Sequence, residues 1–473
     1  VVSSVELVQE HIDRIKRFDG RVNAVVVQIF AEALERAKAA DAALARQEVW
    51  GPLHGVPMTV KEAWMLKGTP STGGWFAELG DAIAEANALS VQRLLDAGAV
   101  IIGKTNIPLY CADYQSANPK YGRTNNPFDL SRSPGGSSGG SSAALACGFA
   151  ALEIGSDVAG SVRSPAHFCG VCSHKPSYGI GHLHGHAPMA THRVLDPRPR
   201  GVHRARYDPS FHHALAVGGP MARCCADLEL AMRILAQPEP VMAQNGWAFT
   251  LPPPRATDVR ALRAAAWFDS EVVPTDREYL ELLQAAAESL QRAGAHVDFT
   301  ARPFSSEEGV LNAMEAYMEL LGAESPALNF SGEISHEAWI ISEYRRNFVK
   351  EVFVEFFDRF DVLLCPVMPV PAVPHTEKGL QDRTHQGVGI PGFSTDGPHM
   401  IFWNFQATMA DLPSTVVPVG FTTTHRLPCG MQIMAPHFQD LTAIEVGRML
   451  EQCHPLTRFV PPPGFHVPPD ARL

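Results

Sequence analysis

Short apolar segments that alternate with helical patterns constrain the fold of this chain more than any other feature of its sequence. The segment GVPMTVKE places β-branched residues between glycine and proline, which predicts a buried strand that ends near Lys61. A helix over 90–96, closed by Gly98, leads into a second strand over 99–103. Helices that alternate with buried strands cover both faces of a sheet. The fold class is therefore α/β.

The same alternation extends toward both ends of the chain. A capping box from Ser3 to Glu6 opens the first helix. Small residues over 143–152 predict a helix, and residues 258–300 predict strand, helix and strand. We divide the chain into N-terminal helices (1–50), a core that carries the candidate chemistry (51–180), a His/Pro/Arg-rich loop (181–219) and the rest of the sheet, helices and pocket loops (220–473).

Composition and charge exclude several classes of function. The 473 residues carry a formal net charge of −11, which argues against nucleic acid or an anionic membrane as the main partner. No stretch approaches the ~18 consecutive apolar residues of a membrane helix, and the first residues are charged where a signal peptide is apolar. The 9 cysteines fit reduced thiols better than a disulfide framework. We expect a cytoplasmic protein that acts on a small molecule.

Two turns rich in serine and glycine indicate the chemistry. They are PGGSSGG over 134–140 and SDVAGS over 156–161. Glycines let backbone N–H groups point into a cavity because no Cβ blocks the approach, and an oxyanion hole requires such groups. The first turn lacks the Lys-Ser/Thr ending of a phosphate-binding loop, which argues against a nucleotide. The turns favour acyl transfer.

A serine hydroxyl becomes an effective nucleophile only when a base takes its proton. No His-Asp arrangement is legible near the two turns. Lys61 can act as the base if burial lowers its pKa from ~10.4 to roughly 7–8. Most lysines are solvated surface charges, so these residues alone leave both readings of Lys61 open.

Five sequence blocks, in their order and spacing, resemble the amidase signature family. They are GVPMTVKE, SPGGSSGGS, GSDVAGSVRSPAHFCGV, KPSYG and GPMARCCADLELAMRIL. The resemblance covers nearly the whole chain and implies one α/β/α domain around a large, mixed, twisted sheet. The segment GHLHGHAP is similar to the branch with nylon cyclic-dimer hydrolases and bacterial urethanases.

The resemblance also implies roles for individual residues. Ser161 would be the nucleophile, Ser137 a bridging serine with a cis peptide bond, and Lys61 the terminal base. The oxyanion hole would consist of the backbone N–H groups of Val158, Ala159, Gly160 and Ser161. The two turns would be oriented by Ser138, Asp157 and Arg163. The family implies no metal and no cofactor.

Two departures from the family pattern affect the site. Family members usually have Thr-Gly-Gly-Ser before the nucleophile, whereas this chain has Val-Ala-Gly-Ser. Ala159 is therefore expected to restrict positive φ and to narrow the oxyanion hole. Glu62 follows Lys61 where the family usually has Asp.

Other residues have two interpretations. The histidines between His182 and His213 are spaced closely enough to suggest zinc or copper, but carboxylate and thiol ligands at matching spacing are scarce, so we expect a flexible loop at the entrance. Cys111 is more often structural. The aromatic and thioether residues that either line a pocket or pack in the core are Trp64, Met65, Trp75, Tyr110 and Trp403.

The resulting prediction is a serine hydrolase that cleaves C–N bonds of aryl or aliphatic amides, with carbamates and nylon-type oligomers as further substrates. One alternative is the glutaminase subunit of a tRNA-dependent amidotransferase. Another is a non-catalytic, amidase-like binding scaffold. The expected partner is a small-molecule amide or carbamate, with neither nucleic acid nor membrane, and a homodimer is left open.

Overall fold

The computed structural model describes residues 2–76, 82–187, 214–324, 334–377 and 397–465. In these ranges the helices are α1 (Ser4–Val22), α2 (Phe30–Ala45), α3 (Leu89–Asp96), α4 (Gly139–Ala146), α5 (Arg163–Cys169), α6 (Cys225–Leu235), α7 (Pro240–Gln244), α8 (Arg277–Arg292), α9 (Glu307–Glu324), α10 (His336–Arg359), α11 (Gly397–Met409) and α12 (Asp440–Cys453). The strands are β1 (Val25–Gln28), β2 (Pro57–Lys61), β3 (Val100–Thr105), β4 (Ala117–Asn118), β5 (Gly122–Arg123), β6 (Leu152–Asp157), β7 (Cys172–Lys175), β8 (Val217–Ala222), β9 (Arg263–Ala266), β10 (His296–Asp298), β11 (Val362–Pro366), β12 (Ser414–Phe421) and β13 (Pro428–Met434). No helix in the described ranges is both long and apolar enough to cross a bilayer.

Eleven of the described strands form one mixed sheet in the order β1-β3-β2-β6-β8-β7-β12-β13-β11-β9-β10. Strand β2 lies between β3 and β6 and runs parallel to both. The neighbouring β6–β8, β8–β7 and β7–β12 pairs are antiparallel. The predicted α/β fold with a large central mixed sheet is confirmed. Because β2 and β6 are parallel neighbours, Lys61 at the end of one strand lies beside the turn that follows the other.

The two faces of the sheet are covered by different hydrophobic clusters. Val362 and Leu364 of β11 belong to one cluster, and Leu363 and Cys365 of the same strand belong to the other. Successive side chains of a strand point to opposite faces, so the clusters lie on opposite sides of the sheet. A third cluster packs α1 and α2 against β3.

Two predicted boundaries are wrong. The helix expected over 143–152 is α4, Gly139–Ala146, and Leu152 already begins β6. The helix begins at the glycine pair, where the backbone packs closely against a neighbouring segment. A Cβ on Gly140 would lie 2.3 Å from the backbone N of Asn106. The loop expected over 181–219 ends earlier, because Val217 pairs with Asp157 and starts β8.

A buried carboxyl group lies beneath the central strands. Glu153 of β6 is fully buried and accepts hydrogen bonds from Thr59 Oγ1 of β2 and, at 3.5 Å, from Thr105 Oγ1 of β3. Burial raises the pKa of the Glu153 carboxyl from 4.5 to about 8, although these hydrogen bonds act in the opposite direction. Glu153 is therefore mainly neutral at pH ~7.

This raised pKa predicts a pH-dependent contribution to stability. From the ordinary pKa of 4.5 up to about 8, the folded protein holds a proton on Glu153 that the unfolded chain has released. The contribution is therefore fully present at low pH and is lost as pH rises through this window, by up to ~1.4 kcal/mol per pH unit. Glu153→Gln removes this titration. The unfolding free energies of wild type and variant should be measured in urea at about pH 5 and about pH 8. Relative to the variant, the wild type should be less stable at the higher pH than at the lower one.

An exposed glutamate supplies the control for this measurement. Glu281 of α8 has a side chain 63% exposed, so Glu281→Gln should follow the wild-type pH profile closely. If the unfolding free energies of Glu153→Gln and wild type changed with pH in the same way, the raised pKa of Glu153 would be contradicted.

Candidate active site

Both Ser/Gly turns open onto one cavity. Its polar wall contains Ser137, Ser156 and Ser161. Its apolar wall contains Trp75, Tyr110, Cys111, Val158, Leu183, Ala187 and Ala216. The fold thus brings residues far apart in sequence to a single concave site, and that site has a mainly apolar lining.

Lys61, the last residue of β2, lies completely buried behind this cavity. Its Nζ is 2.6 Å from Ser137 Oγ and 2.9 Å from Ser156 Oγ. Burial lowers the pKa of the Lys61 amine below its ordinary value, and this outweighs the opposing influence of Cys111, Asp157 and Glu153. A lowered pKa favours the neutral form of the amine, and that form carries a lone pair that can accept the Ser137 hydroxyl.

The first turn is fixed by close backbone packing. The Gly136–Ser137 peptide bond is cis. A Cβ on Gly136 would lie 2.0 Å from the carbonyl O of Asp113, so a larger residue does not fit. The backbone N of Ser138 donates to the Ser161 carbonyl O at 3.1 Å. Ser138 therefore joins the two turns through its backbone.

A buried ion pair fixes the second turn. Arg163 donates from Nη2 to Asp157 Oδ1 at 2.7 Å and from Nε to Oδ2 at 3.0 Å. Burial alone would raise the pKa of the Asp157 carboxyl, but the charge and hydrogen bonds of Arg163 outweigh it and lower the pKa to about 2. The ionised carboxylate also accepts the backbone N–H groups of Gly160 at 2.9 Å and Val162 at 3.1 Å. The turn that carries Ser161 is therefore wrapped around Asp157.

This geometry changes the expected set of oxyanion donors. The N–H of Gly160 is occupied by Asp157, so its expected place in the oxyanion hole needs correction. The N–H groups of Val158, Ala159 and Ser161 have no acceptor among the described residues. Ala159 is absent from the residues with positive φ, whereas Gly160 has φ +97°. The turn therefore does not require positive φ at Ala159, and the restriction expected there has no effect on this backbone.

Three hydroxyl groups that the sequence analysis missed orient the same turn. Tyr317 Oη and Thr408 Oγ1 donate to the carbonyl O of Val158 at 2.8 and 3.0 Å. Tyr114 Oη donates to the carbonyl O of Ala159 at 2.8 Å. Since a peptide N–H points opposite its preceding carbonyl, these bonds fix the direction of the adjacent N–H groups. Two of the donors come from α9 and α11, distant elements that no local motif connects with the turn.

Glu62 holds the opposite wall of the cavity. Its carboxylate accepts the backbone N–H groups of Thr72 at 2.9 Å and Gly73 at 3.0 Å. This turn leads to Trp75, whose ring lies 4.3 Å from the ring of Tyr110. Trp75 and Tyr110 therefore line the cavity. The remaining candidates, Trp64, Met65 and Trp403, belong to or pack against the core clusters.

The histidine-rich segment is described only as far as Ala187. His182 lies 3.3 Å from Glu239, and His186 Nε2 lies 2.9 Å from Ser156 Oγ. His184, also described, accepts the backbone N–H of Leu89 at its carbonyl O. The other four histidines of the segment, His192, His203, His212 and His213, lie outside the described residues. Among the described residues, the side chains close enough to share a cation are Cys172, Cys225 and Glu451, which do not line the cavity.

A matched glycine pair tests the packing of the second turn. Gly160 and Gly179 have similar φ values of +97° and +93°, but a Cβ on Gly160 would lie 2.5 Å from Asn404 Cγ, whereas nothing lies within 4 Å of one on Gly179. Gly179→Ala should lower the unfolding free energy by ~1 kcal/mol through backbone strain. Gly160→Ala should lower it by a further ~1–3 kcal/mol, measured by urea unfolding, because Asn404 is held by a hydrogen bond to Val367. Equal losses would show that the contact with Asn404 is unimportant.

Comparisons with known proteins agree with this architecture. The amidase family profile matches residues 6–324 and 325–443. Indoleacetamide hydrolase of Bradyrhizobium diazoefficiens is 30% identical over 95% of this chain and 83% of its own length. A glutamyl-tRNA(Gln) amidotransferase subunit of Anaeromyxobacter dehalogenans is 30% identical over 95% of this chain and 93% of its own length.

A solved bacterial aryl acylamidase of the amidase signature family is similar in structure. It superimposes with a TM-score of 0.78 at 25% identity and covers 97% of this chain and 94% of its own. The shared profile, the relatives over nearly the whole chain and the common fold lead to one conclusion. This chain belongs to the amidase signature family.

Proposed function

We propose that this protein is a serine hydrolase that cleaves the C–N bond of neutral, largely apolar amides through an acyl-enzyme. The contact of 2.6 Å between the buried Lys61 Nζ and Ser137 Oγ carries the proposal. Ser161 shares the cavity with Ser137, and the turn before Ser161 offers backbone N–H groups without acceptors among the described residues. These are the base, the relay, the nucleophile and the anion-stabilising groups that acyl transfer needs.

The proposed mechanism begins with neutral Lys61. The amine takes the proton of the Ser137 hydroxyl while Ser137 Oγ takes the proton of Ser161, whose oxygen attacks the carbonyl carbon. The N–H groups of Val158, Ala159 and Ser161 stabilise the negative oxygen of the tetrahedral intermediate. The same relay then returns a proton to the leaving nitrogen as the C–N bond breaks. Water repeats the attack with the same base and releases the acid.

The cavity lining favours a neutral substrate with an aromatic group. Trp75 and Tyr110 supply aromatic surface, and Leu183 and Ala216 supply aliphatic surface. Among the described lining residues, the charged side chain is Asp157, which is already paired with Arg163. The names of indoleacetamide hydrolase and aryl acylamidase, both relatives of this chain, indicate amides with aromatic groups. Aryl amides are therefore the proposed substrate class, with carbamates as a related class because the same relay can attack their carbonyl carbon.

The glutaminase alternative receives less support from the cavity. The amidotransferase subunit is as similar in sequence as the indoleacetamide hydrolase. Glutamine, however, carries a separate ammonium and carboxylate, and burying these charges without partners is expensive. The described lining offers them no unpaired charged side chain. Cytoplasmic location and a homodimer stay predictions from the sequence.

Substitutions in the proposed relay test the chemistry. Ser161→Ala and Lys61→Met should each lower the rate of anilide hydrolysis by at least ~10³-fold, because the loss of any one residue of a catalytic relay disables the whole relay. A serine-reactive fluorophosphonate should label Ser161, and mass spectrometry of the labelled peptide should exclude Cys111, whose pKa is raised by burial. Ser131→Ala, an exposed serine before the first turn, is the control and should keep wild-type activity. Near-normal activity of Lys61→Met would contradict the base assignment.

A substrate panel tests the proposed class. Indole-3-acetamide, an anilide, an aliphatic amide, an aryl carbamate and glutamine should be compared by kcat/KM. The neutral aryl amides should exceed glutamine by at least ~10²-fold, because glutamine would leave its charges unpaired in the cavity. Preference for glutamine would favour the glutaminase. A folded protein that neither hydrolyses the panel nor reacts with the fluorophosphonate would favour the binding scaffold.

A further inference from the structure

The histidine-rich segment brings an imidazole into contact with the environment of Lys61. His186 Nε2 lies 2.9 Å from Ser156 Oγ, and the same oxygen lies 2.9 Å from Lys61 Nζ. His186 Nδ1 lies 3.1 Å from the carbonyl O of Ala187. The imidazole ring meets the Trp64 ring edge-on, with centroids 4.8 Å apart at 89°. The three polar side chains form a continuous chain that ends at the proposed base.

The hydrogen-bond partners assign the protons along this chain. A carbonyl oxygen only accepts hydrogen bonds, so His186 Nδ1 carries a hydrogen, and in the neutral ring Nε2 is an acceptor. Ser156 has one hydroxyl proton, which it donates to Nε2. Its oxygen then accepts an N–H from Lys61. A neutral amine keeps one lone pair, and with one N–H directed at Ser156 this lone pair is available to the Ser137 hydroxyl.

We propose that His186 is a positioning residue for Lys61: through Ser156, it keeps the lone pair of the amine directed at Ser137. Without the imidazole acceptor, the Ser156 hydroxyl rotates and donates to the Lys61 lone pair, in competition with Ser137. The inference rests on the proposed function, because a directed lone pair matters only if Lys61 is the base. It assigns a role to part of the histidine-rich segment without a metal.

The backbone holds the segment independently of the imidazole. The backbone N of Met65 donates to the Gly185 carbonyl O at 2.8 Å, and the backbone N of Ala187 donates to the Ala63 carbonyl O at 2.6 Å. A Cβ on Gly185 would lie 2.5 Å from the Cα of Ala88, so the chain is packed tightly at that point. Structural support therefore comes from the main chain. The ring packs on Trp64, donates from Nδ1 to the carbonyl O of Ala187 and accepts the Ser156 hydrogen bond.

Two substitutions of His186 separate these two tasks. His186→Phe keeps an aromatic ring against Trp64 and removes the acceptor. His186→Gln loses the ring and offers Oε1 as an acceptor at a reach similar to that of Nε2. His186→Phe should lower kcat by about 10-fold with a smaller change in KM, since the lost hydrogen bond acts through Ser156 on Lys61 rather than on the substrate. His186→Gln should recover most of that loss.

Ser156 tests the same link from the other side. Ser156→Ala should lower kcat to a similar extent, and the double variant Ser156→Ala/His186→Phe should be no slower than Ser156→Ala alone. Such non-additivity is expected only when both residues act through one contact. Thermal unfolding of each variant checks that it is folded. If His186→Phe does not fold, Ser156→Ala still tests the link.

The rate at which the fluorophosphonate phosphonylates Ser161, with loss of fluoride, distinguishes the failure of this inference from the failure of the proposed function. If the wild-type protein is not labelled, the hydrolase proposal itself fails. If the wild type is labelled and folded His186→Phe reacts equally fast, the role of His186 is overturned and the hydrolase stands. Equal slowing of His186→Phe and His186→Gln would also overturn it, because an acceptor restored at position 186 would then fail to restore the rate.

Discussion

The removal of the Lys61 amine from water is the physical constraint on which the candidate site depends. A charged ammonium in a buried position needs a carboxylate partner or loses its proton. The atoms in contact with Lys61 Nζ are the hydroxyl oxygens of Ser137 and Ser156. Of the two carboxyl groups that act on the amine, Asp157 is paired with Arg163, and burial raises the pKa of Glu153 to about 8. Neither carboxyl group therefore forms the ion pair with Lys61 that would keep the lysine protonated.

The second constraint is the rigidity of the turn before Ser161. Asp157 neutralises Arg163 and accepts two backbone N–H groups of the turn, while tyrosine and threonine hydroxyls hold two of its carbonyls. Breaking a buried pair by removing one partner usually costs ~3–5 kcal/mol. The ion pair therefore supports both the fold and the direction of the N–H groups. The N–H of Gly160 donates to Asp157 in this arrangement and is not available to a group in the pocket.

Features that depend on neighbouring residues could be predicted from the sequence. Residues Pro57–Lys61 form a strand because apolar, β-branched residues lie between glycine and proline, and the two Ser/Gly turns follow from their composition. Contacts between residues far apart in the sequence could not be predicted in this way. Tyr317 and Thr408 meet Val158 only because α9 and α11 pack near the turn, and no periodicity encodes that meeting. His186 was recognised as part of a histidine-rich segment, but its contact with Ser156 appears only in three dimensions.

The pH dependence of Ser161 phosphonylation by a fluorophosphonate tests the central claim most directly. This rate reports the fraction of Lys61 that is neutral and needs no knowledge of the natural substrate. A desolvated lysine predicts that the rate rises with pH and reaches a plateau, with a midpoint below the ordinary lysine pKa of 10.5. A rate that keeps rising through pH ~10, as it would with a solvated lysine, would contradict the account.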